Sequence, residues 1–300
     1  MGWTFALANR DPNLLGCVLE ALGPLAPQAP SAYGLATYAG GEPLLELQPS
    51  VSGPLDLRRL ARDVQSEVML AALTGPGSST SEASTQPLSN NRSAPSLPRQ
   101  PGWAQRQAGG DGSTGLQPFR FRRFVFAHVG EVLGFVDARP ALMRALPEFW
   151  RGQLQGGSAS ELCFMFVLRR LRELTAGDDD SSAAQLAQAL RAGLTDFESA
   201  RRDAGSTRPA ALCCTLTDGR SVAVSRMAGP CALRMFEGLV PCARCGIDEK
   251  TPEMHPALRP HRRLRAVALV SQEGLAGFAP LPERSVTSVS AELELRTEAF

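Results

Sequence analysis

The run Arg123-Phe124-Val125-Phe126-Ala127-His128-Val129-Gly130 sets four apolar residues in a row before a histidine and ends on glycine. A short, continuously apolar run rich in β-favouring residues reads as a buried strand. Working outward, Leu212 to Thr217, the Asp218-Gly219 turn and Ser221 to Ser225 read as a β-hairpin. Trp3 to Ala8 reads as another buried strand, broken by Asn9-Arg10-Asp11-Pro12, and Ala36 to Tyr38 pairs with Pro43 to Leu47 across Gly40-Gly41. Leu264 to Ser271 is a further apolar strand, and Ser285 to Leu295 reads as one closing edge strand. Helical periodicity fills the gaps. It predicts helices over 14–22, 56–70, 140–149, 160–174 and 182–204, the last capped from Asp178-Asp179-Asp180-Ser181. Strands of antiparallel type mixed with packed helices indicate an α+β layered domain spanning the 300 residues.

The pattern breaks at Gly75. From Pro76 to Leu116 the chain is rich in Ser, Gly, Pro, Gln and Asn, with Trp103 as an isolated aromatic. Such a segment buries too little apolar surface to offset its ordering entropy, so 76–116 is expected to be a disordered, low-complexity insertion.

Composition narrows the function. The formal net charge is +1, which gives no general pull toward nucleic acid or an anionic membrane. No apolar run reaches the roughly 20 residues needed to cross a bilayer, and the start carries no signal-like segment. A cytoplasmic protein is expected. Seven cysteines, an odd number, do not form a secreted disulfide framework, and Cys213-Cys214 reads as a buried apolar pair. Gly109-Gly110-Asp111-Gly112 follows no strand, so it is no phosphate-binding loop and no cofactor is expected. Cys242-Ala243-Arg244-Cys245 is a lone CxxC; with Cys231 and His255 it makes a candidate zinc set. The spacings fit no standard finger, so the segment reads as a surface loop with reduced thiols and no metal. Arg259, His261, Arg262, Arg263 and Arg265 read as a solvated approach to the next strand.

Taken in order, these segments resemble the class II glutamine amidotransferases, and among them the compact bacterial group that includes the ergothioneine-pathway γ-glutamyl hydrolase. Gly34-Leu35-Ala36-Thr37-Tyr38 is similar to that group's Gly-Ile-Ala-Trp-Tyr. Pro118-Phe119 and Arg123 to Gly130 resemble His-Pro-Phe and Trp-Val-Phe-Ala-His-Asn-Gly. Ser158-Ala159-Ser160-Glu161 resembles Thr-Asp-Ser-Glu, and Leu216 to Gly219 resembles the late hairpin. The resemblance implies the αββα four-layer sandwich of N-terminal-nucleophile hydrolases.

It also implies a site that this chain does not have. Active members use a cysteine exposed after removal of Met1; here Gly2 stands there. The Asn-Gly pair that would stabilise the oxyanion is Val129-Gly130, the substrate-gripping arginine aligns with Thr74, the amine-holding aspartate with Ala159, and the His of His-Pro-Phe with Gln117. Cys17, set along a helix, cannot stand in for the missing nucleophile. The expectation is a pseudoenzyme with no catalytic residues, binding another cytoplasmic protein such as an active relative or a synthetase. The alternative is an active glutamine amidotransferase or γ-glutamyl amide hydrolase with a different nucleophile.

Overall fold

The computed structural model describes residues 2–23, 30–51, 53, 55–60, 62–75, 116–176, 180–248 and 250–300. The expected insertion therefore lies outside the described residues, apart from Leu116, which is buried. In chain order the elements are β1 (Gly2–Asn9), α1 (Leu15–Leu22), β2 (Ala32–Ala39), β3 (Glu42–Gln48), α2 (Leu57–Leu60), β4 (Val68–Thr74), β5 (Phe119–Phe121) and β6 (Phe124–Val129). Then come α3 (Phe135–Ala145), α4 (Glu148–Arg151), α5 (Ala159–Leu174), α6 (Ala183–Asp203), β7 (Cys213–Thr217), β8 (Val222–Arg226) and β9 (Ala232–Glu237). The chain closes with α7 (Leu258–Arg262), β10 (Arg265–Val270), β11 (Ala279–Pro280), β12 (Ser285–Val289) and β13 (Leu295–Ala299).

The strands form two antiparallel sheets. One runs β11-β9-β10-β1-β4-β2-β3 and the other β13-β12-β8-β7-β6-β5. Because successive strand residues face opposite ways, β1 sends Phe5 and Leu7 to one core and Ala6 and Ala8 to another. The first core lies under α1, α2 and α7, where Leu15, Val18, Leu57 and Leu258 cover the outer face of the seven-stranded sheet. The second fills the space between the sheets with small residues, including Ala36, Ala72 and Ala127. The third packs Phe126, Leu216 and Val286 of the second sheet against Phe164, Leu190 and Phe197 of α5 and α6. Three cores separate four layers, which is an αββα sandwich.

One long tether joins the two sheets. Tyr38 on β2 reaches the other sheet and donates its hydroxyl to the carbonyls of Arg123 (2.9 Å) and Thr217 (3.3 Å). Gly34, from the same motif, sits where an added Cβ would lie 2.0 Å from the Gln117 carbonyl, so only glycine admits that crossing. α6 is capped by Ser182 and Gln185 in a reciprocal box, one residue beyond the expected polar run.

Three expectations need correction. The helical spacing read over 56–70 produces only the single turn of α2, and the chain then enters β4, a central strand flanked by β1 and β2. The apolar spacing of Leu57, Leu60, Val64 and Val68 comes from α2 and the turns after it, and only its last residues, Val68 to Leu70, fall in β4. Ser285 to Leu295 is not one edge strand: β12 is internal, and β13 is the edge that pairs with it. The arginine run before β10 forms α7, where the arginines are exposed but His261 is buried.

Candidate functional site

The positions singled out at the family site meet at one end of the sandwich. Gly2 begins β1 and pairs with Thr74 of β4. A Cβ added at Gly2 would come 3.5 Å from the Leu73 carbonyl and 3.7 Å from Val129 Cγ2, across the gap between the sheets. Gly2 is exposed, and Thr74 and Val129 are half-buried, so this end opens to solvent. No thiol, carboxylate or guanidinium comes from these three positions. Gly130 follows with φ +130°, and a Cβ there would lie 1.5 Å from the Ala211 carbonyl oxygen. Its backbone conformation is therefore closed to any other residue. Ala159, buried at the start of α5, occupies the fifth position.

The polar groups that remain hold backbone. The Gln117 amide donates to the His128 carbonyl at 2.9 Å and accepts from the His128 amide, so it acts as a strand partner beside β6. The Glu161 carboxylate accepts from the amides of Gln155 (2.5 Å), Gly156 (2.9 Å) and Gly157, fixing the loop that delivers α5. Ser158 caps the same helix by accepting from the Glu161 amide.

One side-chain pair here has catalytic form. His128 Nδ1 lies 2.8 Å from Ser160 Oγ, and burial holds the imidazole well below its ordinary value, at about 4, so it is neutral near pH 7. A serine beside a neutral histidine is the beginning of a nucleophile–base pair. Among the described residues the far nitrogen, Nε2, has no partner, so none of their carboxylates orients the ring or stabilises its charged form as a triad requires. Gln117 Nε2 also approaches Ser160 Oγ, at 3.4 Å.

The candidate zinc set of Cys231, Cys242, Cys245 and His255 is not assembled. Cys231 precedes β9, and its thiol bonds Cys213 in the core between the sheets. Cys242 belongs to the core on the outer face of the same sheet. The sheet itself separates them. His255 is half-buried in the turn before α7 and lies outside the thiol group. Instead, Cys242 and Cys245 meet Cys17 of α1 and His261 of α7, with one ligand atom from each within 4.8 Å of all the others. Cys17 Sγ and Cys245 Sγ are 3.6 Å apart. Burial, and then the neighbouring Cys242 thiol, push Cys17 well above the ordinary thiol range. Cys245 is pushed up by burial too, while the adjacent Arg244 charge acts in the opposite direction. Sequence reasoning found two of these four residues through the CxxC. Cys17 is 228 residues from Cys245, and only the docking of α1 against the 243–245 turn brings them together.

Comparison with solved structures places the fold. A glutamine aminotransferase class-II domain protein from Silicibacter pomeroyi is 18% identical, with a TM-score of 0.56 over 100% of this chain and 99% of its own. A predicted glutamine amidotransferase from Pseudomonas aeruginosa is 14% identical, with a TM-score of 0.53 over 99% and 98%. The allosteric regulatory enzyme of purine biosynthesis matches at 11% identity and a TM-score of 0.51, over 99% of this chain and 48% of its own. No family model and no curated protein sequence matches the chain. The chain thus has the class II glutamine amidotransferase fold, the four-layer sandwich of N-terminal-nucleophile hydrolases. Among the described residues no helix is long and apolar enough to cross a membrane.

Proposed function

We propose that this chain is a non-catalytic protein on the class II glutamine amidotransferase scaffold, serving as a binding or regulatory subunit in the cytoplasm. The observation that carries the reading is Gly2 facing Val129 at the open end of the sandwich, with Thr74 beside it. Chemistry at that end would need a thiolate at position 2, a side-chain donor at 129 and a cation at 74. Loss of a nucleophile costs on the order of 10⁶ in rate, and loss of one oxyanion donor a further ~10²–10³. What remains, at Gly34, Tyr38, Gln117, Gly130 and Glu161, supports the backbone. The partner in this reading is another protein, an active amidotransferase-type enzyme or a synthetase, and the ergothioneine-type group is the family branch we infer. Ammonia release from glutamine and from γ-glutamyl amides tests the reading. The expected rate is that of the buffer blank, and any turnover that survives repurification would overturn it.

One observation favours a second reading, an active glutamine or γ-glutamyl amide hydrolase with another nucleophile: the contact between Ser160 and His128. In that case Ser160→Ala would abolish a measurable turnover. Cys213, the β7 partner of Val129, is a weaker candidate, because it is buried against Cys231.

A further inference from the structure

We infer that Cys17, Cys242, Cys245 and His261 form a structural zinc site that clamps α1, the 242–247 knuckle and α7 onto the outer face of the seven-stranded sheet. The argument begins with distance. Zinc–sulfur bonds of about 2.3 Å in a tetrahedron place two sulfurs about 3.8 Å apart. Cys17 Sγ and Cys245 Sγ stand at 3.6 Å, and the four candidate ligand atoms fit within 4.8 Å of one another. Three sulfurs and one imidazole form a closed set of the kind that structural zinc takes.

The histidine supplies the second observation. His261 is 1% exposed, its Nδ1 lies 2.8 Å from the Ala257 carbonyl, and its buried Nε2 has no hydrogen-bond partner among the described residues. A ring whose Nδ1–H is held by a backbone carbonyl presents an unprotonated Nε2, the arrangement by which a second contact orients a metal-bound histidine. Leaving that nitrogen unpaired in a dry core costs on the order of 1–3 kcal/mol. A cation bonded to it and to three sulfurs removes that cost.

The backbone is shaped for the purpose. Cys242 and Ile247 form a two-way bridge, with amide-to-carbonyl distances of 2.8 and 3.0 Å. Between them the chain makes a single 3-10 turn at Ala243–Cys245 and reverses at Gly246, φ +65°. This tight hairpin turns both thiols of the CxxC toward α1. Three thiolates around a divalent cation leave one net negative charge, and Arg244 sits in the knuckle itself beside Cys245. The outer helical layer needs such a clamp, because α2 and α7 span only four and five residues. So few helical residues bury little apolar area, and helices that short have negligible stability of their own.

The test uses the full chain purified under reducing conditions without added chelator. Elemental analysis is expected to give one zinc per chain, and a strong chelator should lower the melting temperature, because the metal binds only the folded state. Cobalt added to the chelated protein should give the intense visible bands and thiolate charge-transfer absorption of a tetrahedral sulfur-rich site. Cys242→Ser should lose the metal, while Cys231→Ser should keep it. Should Cys242→Ser fail to fold, the cobalt spectrum of the wild-type chain and of Cys245→Ser at the half-buried ligand decides. Substoichiometric zinc with no tetrahedral cobalt spectrum would overturn the assignment. So would a Cys17–Cys245 disulfide, or metal that persists in Cys242→Ser and departs with Cys231.

Discussion

Two buried histidines, His128 and His261, mark two regions that differ in the chemistry gathered around them. Each has Nδ1 committed, to Ser160 Oγ in one case and to the Ala257 carbonyl in the other, and each leaves a buried Nε2 unpaired among the described residues. Near His128, at the open end of the sandwich, Gly2 pairs with Thr74 and faces Val129. Around His261, under the outer helices, three thiols converge. Fold and chemistry are inherited separately. At the open end Gln117 and Glu161 hold backbone, whereas on the outer face the residues that gather are ones whose atoms bind metals.

The two glycines of the open end should part sharply under substitution, and this is the largest expected effect. Gly130→Ala forces a Cβ onto the Ala211 carbonyl at a φ that favours glycine, so soluble expression should be lost or stability should fall by at least about 3 kcal/mol. Circular dichroism and denaturant unfolding read this directly. A folded Gly130→Ala with an unchanged denaturation midpoint would contradict the claim that position 130 is kept for its backbone.

The His128 imidazole should leave a signature in pH. Its folded value, about 4, lies below its ordinary 6.5, so between these limits the unfolded chain takes up a proton that the folded chain refuses. Stability is therefore full above pH 6.5, falls as pH drops, and levels off near 4, for a total of about 3 kcal/mol. Zinc release from the outer cluster in acid would destabilise in the same direction, so the informative quantity is a difference. His128→Asn measured against wild type should remove His128's share of the slope and leave the rest. Equal slopes in the two proteins would mean that the imidazole titrates as if exposed.

Gly2→Cys should do almost nothing, and that contrast with Gly130 sharpens the comparison. A Cβ at position 2 meets only ordinary contacts at 3.5 and 3.7 Å, so the melting temperature should stay within a degree or two. No turnover should appear either, because Thr74 and Ala159 still offer nothing to hold a glutamine. Measurable ammonia release by Gly2→Cys would show that the substrate pocket persists and that the erosion is confined to one residue.

Much of the fold was legible in the sequence, and the exceptions share a physical cause. β6, the β7–β8 hairpin, α5 and α6 follow from local pattern, since each is a contiguous run whose periodicity or turn chemistry is written into its own residues. The start of β4 is absorbed into the expected helix because Leu57, Leu60, Val64 and Val68 share a helical spacing that runs on from α2 to the first strand residue. β12 and β13 were merged because Ser290 to Glu294 carries no glycine or proline to mark the turn. The site divided in the same way. Gly2, Thr74, Val129 and Ala159 are assigned by resemblance alone, and the structure adds that Gly2 pairs with Thr74 and faces Val129. The thiol cluster could not be assigned that way, because α1 supplies Cys17 from the far end of the chain, and nothing local to Cys17 marks it as a ligand. His255 and His261 are equally plausible by spacing; only the single turn of α7, packed through Leu258, turns the second inward.

The central claim is that the open end of the sandwich no longer performs acyl chemistry. Its most direct test is to incubate the native chain with an electrophilic glutamine analogue and map any adduct by mass spectrometry. The account predicts unmodified protein throughout, with Ser160 and all seven cysteines recovered intact. A stoichiometric adduct at Ser160, Cys213 or any residue lining the end formed by Gly2, Thr74 and Val129 would contradict it.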